Sequence, residues 1–573
     1  DQMAELVGFE ELAHVRFGTK WFERFTGGLD FATWQSALPP PLSPMLMKGE
    51  YFREVAWPQA LDKVASVLHG TAPSDFAMLV SPDLTNESLF AARRFVRDVL
   101  GSPAIDSTGR LELAGGMGLW SKLFSLPISI KSIVKSDSIL VVDLDSRFDF
   151  SVVGTKVRQA VDADARLVVI DPRESNLSRI ANVWLRPRPG TEGELVRFLG
   201  LRLSGKSADL AAAAASSGVE PALLDLAAEI LAAGKEMTAV VGPQAFHYED
   251  TGPLAEGLLA LSGRESVNFI PLYYGTNARG ALEMGIYSEP GGPETGAPDG
   301  ETLLAGLLAG TRRPKVLYLV GDVPFFDRPD CDFLIVQDTY MPPFKVDAFL
   351  PAASFAEAAG TLINVEGRVQ ETAQIEDLPE GAVTGFMRPD WLIFSDLEKA
   401  LGGSSMSYHS VRDVQAEIRK MVPDFAPENR KPRRLASPSV LPDLNRSSRK
   451  AESGGEFWLV AKPAGFRHGG IDLSSKIAGL GELGLEEGFR MSPADIAALG
   501  LKDGDPISLT FGNGAAGIRG AAKAEPECPR GAVYFTRPVV LGGLAHRRAM
   551  APLYRLASNP VRVGIGGTGS GAA

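Results

Sequence analysis

Cysteine is nearly absent from this chain. Its 573 residues hold two, Cys331 and Cys528, which excludes a disulfide framework and any four-cysteine iron–sulfur or zinc site built by this chain alone. Long apolar runs are missing too. None reaches the ~20 residues that a membrane span needs, and runs such as Ile139–Val142 have strand length. An excess of positive charge is lacking: the net charge of −12 argues against a general nucleic-acid binder. The paired glycines at 115–116, 291–292 and 542–543 do not continue into Gly-Lys-Ser/Thr, so no phosphate loop of that kind is present. No Ser/His/Asp or Cys/His arrangement follows from spacing.

What is present is the composition of a soluble globular protein, 45% apolar and 22% charged. At roughly 150 residues per domain, the length implies about four units. Residues 1–45 form an aromatic arm, with Trp21, Phe22, Phe25, Phe31 and Trp34 before Pro39-Pro40-Pro41. Packing of the arm on its own domain is preferred to packing on a partner.

Residues 46–132 read as α/β: a short strand runs into a helix near Pro58, Phe76–Val80 is a buried-type strand, and a helix covers Asn86–Leu100. Over 133–332 the alternation is clearest. Strands at Ser138–Val142, Arg166–Ile170, Thr238–Val241 and Lys315–Gly321 are separated by helices at Val152–Ala163, Leu195–Leu203 and Pro253–Leu261. Val/Ile-rich strands alternating with helices predict a parallel, doubly wound, Rossmann-like sheet. Residues 333–426 resume with strand Phe333–Asp338 and end in helix Ser410–Met421, and they are expected to form one discontinuous domain with 46–132. Residues 427–455 carry four prolines and seven basic residues and read as a linker. Residues 456–573, with short strands between Gly and Pro, predict a β-barrel.

One run is more specific. Leu350-Pro-Ala-Ala-Ser-Phe-Ala-Glu-Ala-Ala-Gly-Thr-Leu-Ile-Asn-Val-Glu-Gly-Arg-Val-Gln resembles the signature of the molybdopterin oxidoreductases, the family of formate dehydrogenases and of the large iron–sulfur subunit of NADH:quinone oxidoreductase, complex I. Blocks at Glu50–Leu61, Ser138–Arg173, Asn268–Gly285 and Phe466–Asp505 resemble that family in the same order. The resemblance implies an α/β molybdopterin oxidoreductase fold with doubly wound Rossmann-like domains and a C-terminal double-psi β-barrel.

The departures bear on chemistry. Where metal-bearing relatives read Gly-Ser-Asn-Pro after a strand, this chain reads Asp143-Leu-Asp-Ser-Arg-Phe-Asp, and three carboxylates there would repel a pyrophosphate unless a metal or Arg intervened. The cluster cysteines and the metal-ligating Cys have no counterpart. Glu112 lies nearest the metal-ligand position, although a Glu in such a stretch is usually solvated. If a pterin nucleotide is retained, the resemblance assigns Asp171, Arg173, His247, His468 and Gly469 to it. The bland alternatives are a strand-end turn held by the Asp171 side chain and ordinary hydrogen-bonded histidines, His546 among them. Glu366-Gly367-Arg368 resembles the family's turn between the halves of the cleft, and a structural role is preferred for it.

The resulting expectation is a cofactor-poor, non-catalytic scaffold subunit of an NADH- or formate-linked electron-transfer complex. Its partners would be iron–sulfur and flavin subunits, with no nucleic acid and no membrane span of its own. It would be cytoplasmic, reaching the inner face of the inner membrane only through those partners. The second reading is an active oxidoreductase subunit holding bis-molybdopterin guanine dinucleotide with molybdenum or tungsten and a non-Cys ligand. The third is a nucleotide-binding regulatory module.

Overall fold

The computed structural model describes residues 43–246, 251–287, 302–374, 387–436, 457–463, 488–511, 518–537 and 561–567, save a few single positions and pairs within them. Residues 1–42 of the arm, Glu112, His247, His468, Gly469, His546 and most of the linker lie outside the described residues, and Met45, read as the end of the arm, begins a strand.

Two large open sheets, a two-stranded antiparallel pair (Gly360–Ile363 with Val369–Thr372) and a barrel organise the described residues. The larger sheet has seven strands in the order Tyr51–Glu54, Met45–Lys48, Ala348–Pro351, Phe333–Asp338, Val316–Val320, Phe76–Val80 and Ile105–Ser107. From Ala348–Pro351 to Ile105–Ser107 all neighbours are parallel. The smaller sheet has five parallel strands in the order Val183–Leu185, Arg166–Ile170, Ser138–Val142, Met237–Val241 and Val267–Pro271. Every residue of Phe76–Val80, Ser138–Val142, Met237–Val241 and Val316–Val320 is buried, as expected of strands covered on both faces.

One grouping read from the sequence differs. Alternation places Val316–Val320 with the 133–332 unit, yet it pairs in parallel with Phe76–Val80 and Phe333–Asp338 in the larger sheet. A run of Val, Leu and Tyr carries no mark of which sheet receives it. The chain leaves the larger sheet after Ile105–Ser107, builds the smaller one, and returns.

The helices follow their local signals. Thr85 caps Asn86–Arg94 by accepting from the Ser88 amide, and the helix loosens into a π turn over Phe95–Val99. Ser410 and Asp413 form a capping box for Val411–Met421. Ser492 caps Pro493–Ala498.

The C-terminal strands close into a six-stranded barrel, in the order Phe457–Pro463, Ala532–Arg537, Phe489–Met491, Ile518–Ala524, Pro506–Phe511 and Val561–Gly567. Phe457, Leu459, Phe489, Met491, Ile507, Leu509, Val533 and Val563 fill it. No helix among the described residues is long and apolar enough to cross a membrane.

Candidate functional site

In the smaller sheet the first strand in chain order, Ser138–Val142, is central and the order reverses beside it, which puts the topological switch point between the ends of Ser138–Val142 and Met237–Val241. Ligands of doubly wound sheets bind in the crevice at that point. Here the two strand-end backbones approach each other closely. The Gly242 amide donates to Val142 O at 2.7 Å, and a Cβ on Gly242 would fall 2.0 Å from Asp143 O. Asp143 takes a left-handed conformation, φ 48°, at the end of its strand.

Two of the three carboxylates after that strand are engaged by side chains of this chain. Asp145 receives the Arg147 guanidinium, Nη2 to Oδ2 at 2.7 Å and Nε to Oδ1 at 3.0 Å. Asp149 Oδ2 accepts from the Tyr274 hydroxyl at 2.9 Å. Asp143 also has a partner.

Asp171 and Arg173 lie after the next strand. Asp171 Oδ1 accepts from the Arg173 amide at 2.9 Å, a strand-end turn of the bland kind. The side chain of Arg173, a residue 4% exposed, leaves the sheet and meets the barrel. It pairs with Glu525, lies 3.7 Å from Glu527 Oε2, and stacks 5.3 Å from the Tyr534 ring centre. Burial disfavours its charge, but the carboxylate of Glu525 and the groups around it outweigh that and raise its pKa.

Glu527 gathers more cations. Arg147 grips it with a fork, Nη1 to Oε1 at 3.0 Å and Nη2 to Oε2 at 2.9 Å. Arg179 Nη2 reaches Oε1 at 2.8 Å while its Nε holds Glu174. Arg490 lies 3.5 Å from Glu525. The Arg147 hydrogen bond, against opposing burial, holds the Glu527 carboxyl below its ordinary range. A backbone bond, Glu174 N to Glu527 O at 3.2 Å, fixes the same junction without charge. Sequence reading missed Glu525, Glu527, Arg147 and Arg179. Glu525-Pro-Glu527 looks like a solvated turn, and its partners are 352 and 380 residues away.

The Glu366-Gly367-Arg368 turn belongs to a second junction. Glu366 Oε1 accepts from the Ile130 amide at 3.0 Å and Oε2 from Arg368 Nε at 2.7 Å. Beside it, fully buried Arg279 donates to Val365 O, Arg433 O and Glu283 Oε1 at 2.7, 2.9 and 2.9 Å, with its guanidinium 4.7 Å from the Phe124 ring centre. Gly367 has φ 77°, and a Cβ there would meet Arg433 O at 2.3 Å. The preceding residues of the signature run are also anchored: Thr361 N and Oγ1 donate to buried Glu87 at 2.8 and 2.9 Å, and Ile363 N donates to Asn277 Oδ1 at 2.8 Å. The run therefore packs helix Asn86–Arg94 and the turn at Asn277 against the strand Gly360–Ile363.

Neither junction gathers metal ligands: among the described residues no three His, Cys, Asp or Glu are placed to hold a metal ion. Arg173, which the sequence offered to an anionic ligand, is held by carboxylates of this chain.

Comparisons with known proteins agree with this architecture. The chain is 26% identical over 444 residues to the F420-dependent formate dehydrogenase subunit alpha of Methanocaldococcus jannaschii, covering 67% of this chain and 65% of that protein. It is 26% identical over 567 residues to the NADPH-Fe(3+) oxidoreductase subunit alpha of Geobacter sulfurreducens, covering 87% and 65%. It is 24% identical over 579 residues to an NADH-quinone oxidoreductase subunit of Rhizobium meliloti, covering 88% and 64%. The chain thus spans about 65% of the length of the curated relatives it matches. Acetylene hydratase from Pelobacter acetylenicus shares the fold, with a TM-score of 0.64 at 13% identity over 88% of this chain and 85% of that one. The model of the molybdopterin oxidoreductase family matches residues 42–400, more than half the chain, and the chain belongs to that family.

Proposed function

We propose that this chain is a cofactor-poor scaffold subunit of an NADH- or formate-linked electron-transfer complex. Its work is to hold iron–sulfur and flavin subunits at electron-transfer distance. The observation that carries this reading is the junction at the sheet ends: Arg147, Arg173 and Arg179 are engaged by Glu525 and Glu527, and the switch-point backbones of Gly242 and Asp143 touch. On this reading a pterin dinucleotide does not fit, because its phosphates would have to displace both carboxylates and push the touching backbones apart. Two cysteines supply no four-cysteine cluster, so an electron outlet would have to lie outside these 573 residues. Parallel pairing within the barrel, Phe457–Pro463 with Ala532–Arg537 and Phe489–Met491 with Ile518–Ala524, supports the double-psi winding expected for it.

The second reading draws its support from the relatives named as formate dehydrogenase alpha subunits. It requires bis-molybdopterin guanine dinucleotide with molybdenum or tungsten, and its nearest metal ligand by sequence is Glu112. Elemental analysis and pterin extraction of the native complex separate the two. The scaffold reading expects neither molybdenum nor tungsten at one equivalent per chain. A stoichiometric content of either, with guanine nucleotide released on acid denaturation, overturns it.

A further inference from the structure

We infer that the barrel turn Glu525–Glu527 is a built-in anionic ligand, occupying a seat on the smaller sheet whose chemistry suits a phosphate or pyrophosphate group. The inference rests on the scaffold reading above and explains how the seat is kept closed.

The argument begins with charge. Arg147, Arg173, Arg179 and Arg490 bring four positive charges to the junction, and the ion pairs there are made with Asp145, Glu174, Glu525 and Glu527. Asp145 and Glu174 belong to the sheet side. Removing the barrel's two carboxylates would leave these ion pairs two positive charges in excess. Those two carboxylates flank Pro526, so the turn presents a pair of neighbouring anionic groups.

Geometry agrees. Three guanidiniums converge on Glu527, one as a bidentate fork. Planar forks of this kind match phosphate as well as carboxylate, and Arg is the usual residue for both. The seat lies at the carboxyl ends of parallel strands, where doubly wound sheets receive anionic ligands. A carboxylate also fills it incompletely. Arg173 is 96% buried, as the complement of its 4% exposure, yet its Nε has no hydrogen-bond partner among the described residues. A group with more oxygens than a carboxylate would satisfy it.

Docking of the barrel does not depend on these charges alone. Glu174 N donates to Glu527 O, and Trp458 of the barrel packs at Gly190, where a Cβ would come within 3.0 Å of its ring. A Glu→Gln change keeps the side-chain volume and one acceptor while removing the charge, so it opens the seat electrostatically without undocking the turn.

The test is calorimetric titration of the full chain with inorganic pyrophosphate at low ionic strength. The Glu525→Gln/Glu527→Gln variant is expected to bind at least tenfold more tightly than wild type, and adding Arg147→Ala should abolish the gain. Circular dichroism and the melting transition establish that the variant is folded. If the double variant unfolds, Glu527→Gln alone is titrated, since Glu525 still pairs with Arg173, and a gain of at least threefold is expected. Binding within twofold of wild type in the folded variant overturns the inference, as does a gain that survives Arg147→Ala. Those failures leave the scaffold reading standing, because that reading falls only on the metal and pterin content of native material.

Discussion

Gly242 and Asp143 touch through their backbones: a Cβ on Gly242 would lie 2.0 Å from the Asp143 carbonyl oxygen and 2.7 Å from its carbon. These are the strand ends that flank the switch point of the smaller sheet. Atoms of this kind cannot swing aside like the tip of a long side chain. Gly242→Ala is therefore expected to destabilise the chain by about 3 kcal/mol, the upper range of overpacking costs. Gly566, with nothing within 4 Å of a Cβ, is the control, and Gly566→Ala should change stability by less than about 0.5 kcal/mol. Equal melting temperatures for the two variants would show that the two backbones are not in close contact there.

The buried arginine of the second junction supports a sharper expectation. Arg279 satisfies two carbonyls and one face of Glu283, and among the described residues Arg433 is the ion-pair partner that Glu283 keeps when it is lost. Breaking a buried pair leaves desolvated groups uncompensated, at about 3–5 kcal/mol. Arg279→Met should cost this much in urea unfolding. Arg279→Lys should recover less than half, because one ammonium cannot reach two carbonyls and a carboxylate in the fixed directions of a guanidinium. Full recovery by Lys would mean that charge alone matters there.

The contrast between these two junctions marks how far the sequence could be read. Strand Ser138–Val142 is legible because burial on both faces demands an unbroken apolar run, and Pro506–Phe511 because buried Ile507 and Leu509 alternate with polar or exposed neighbours. The sheet that receives Val316–Val320 was not legible, since its partners are set by the chain's return across a whole domain. Helices Leu210–Ser217 and Pro221–Ala233 are hard to see in the sequence because alanine-rich segments show little contrast between faces. Asp171 stands out in the sequence, and its turn is the bland one expected. The sequence reads Asp143, Asp145 and Asp149 as repelling an anion, but the arginine that answers Asp145 also bridges to Glu527, 380 residues away. No spacing rule reaches that distance.

Acid should loosen the first junction. The Arg147 hydrogen bond lowers the Glu527 pKa from 4.5, with burial opposing and the charges of Arg147, Arg173 and Arg179 adding to it. A carboxyl depressed in the folded state contributes stability that is present above its unfolded value and lost as pH falls through its folded value. Protection of the Asp171–Arg179 loop in hydrogen exchange is expected to fall below about pH 4.5, and Glu527→Gln should abolish that dependence. A loop whose protection in wild type is the same at pH 3.5 and pH 7 would contradict the assigned ion pairs.

Asp390 should act with the opposite sign. It begins the helix Asp390–Ala400 in the core of the larger sheet, accepting from Gln337 Nε2 at 2.8 Å, with Ser88 as a further hydrogen-bond donor. Gln337 in turn accepts from the Tyr318 hydroxyl, so no cation faces the carboxyl among its assigned partners. Burial raises its pKa from 3.8 to about 6, and the hydrogen bonds only moderate this. The folded state then binds more protons than the unfolded state between those values, so stability from this group is greatest near pH 4 and declines as pH rises to about 6. A shift of about 2 units corresponds to about 3 kcal/mol at neutral pH. The favourable position of a carboxylate in the first turn of a helix offsets about 0.3–1 kcal/mol of it. Asp390→Asn keeps an acceptor for Gln337 and removes the charge. The variant is expected to be about 2 kcal/mol more stable than wild type at pH 7.5 and equal to it at pH 4. Denaturant titrations at the two pH values check this, and a variant less stable than wild type at pH 7.5 would show that Asp390 is held ionised in the folded chain.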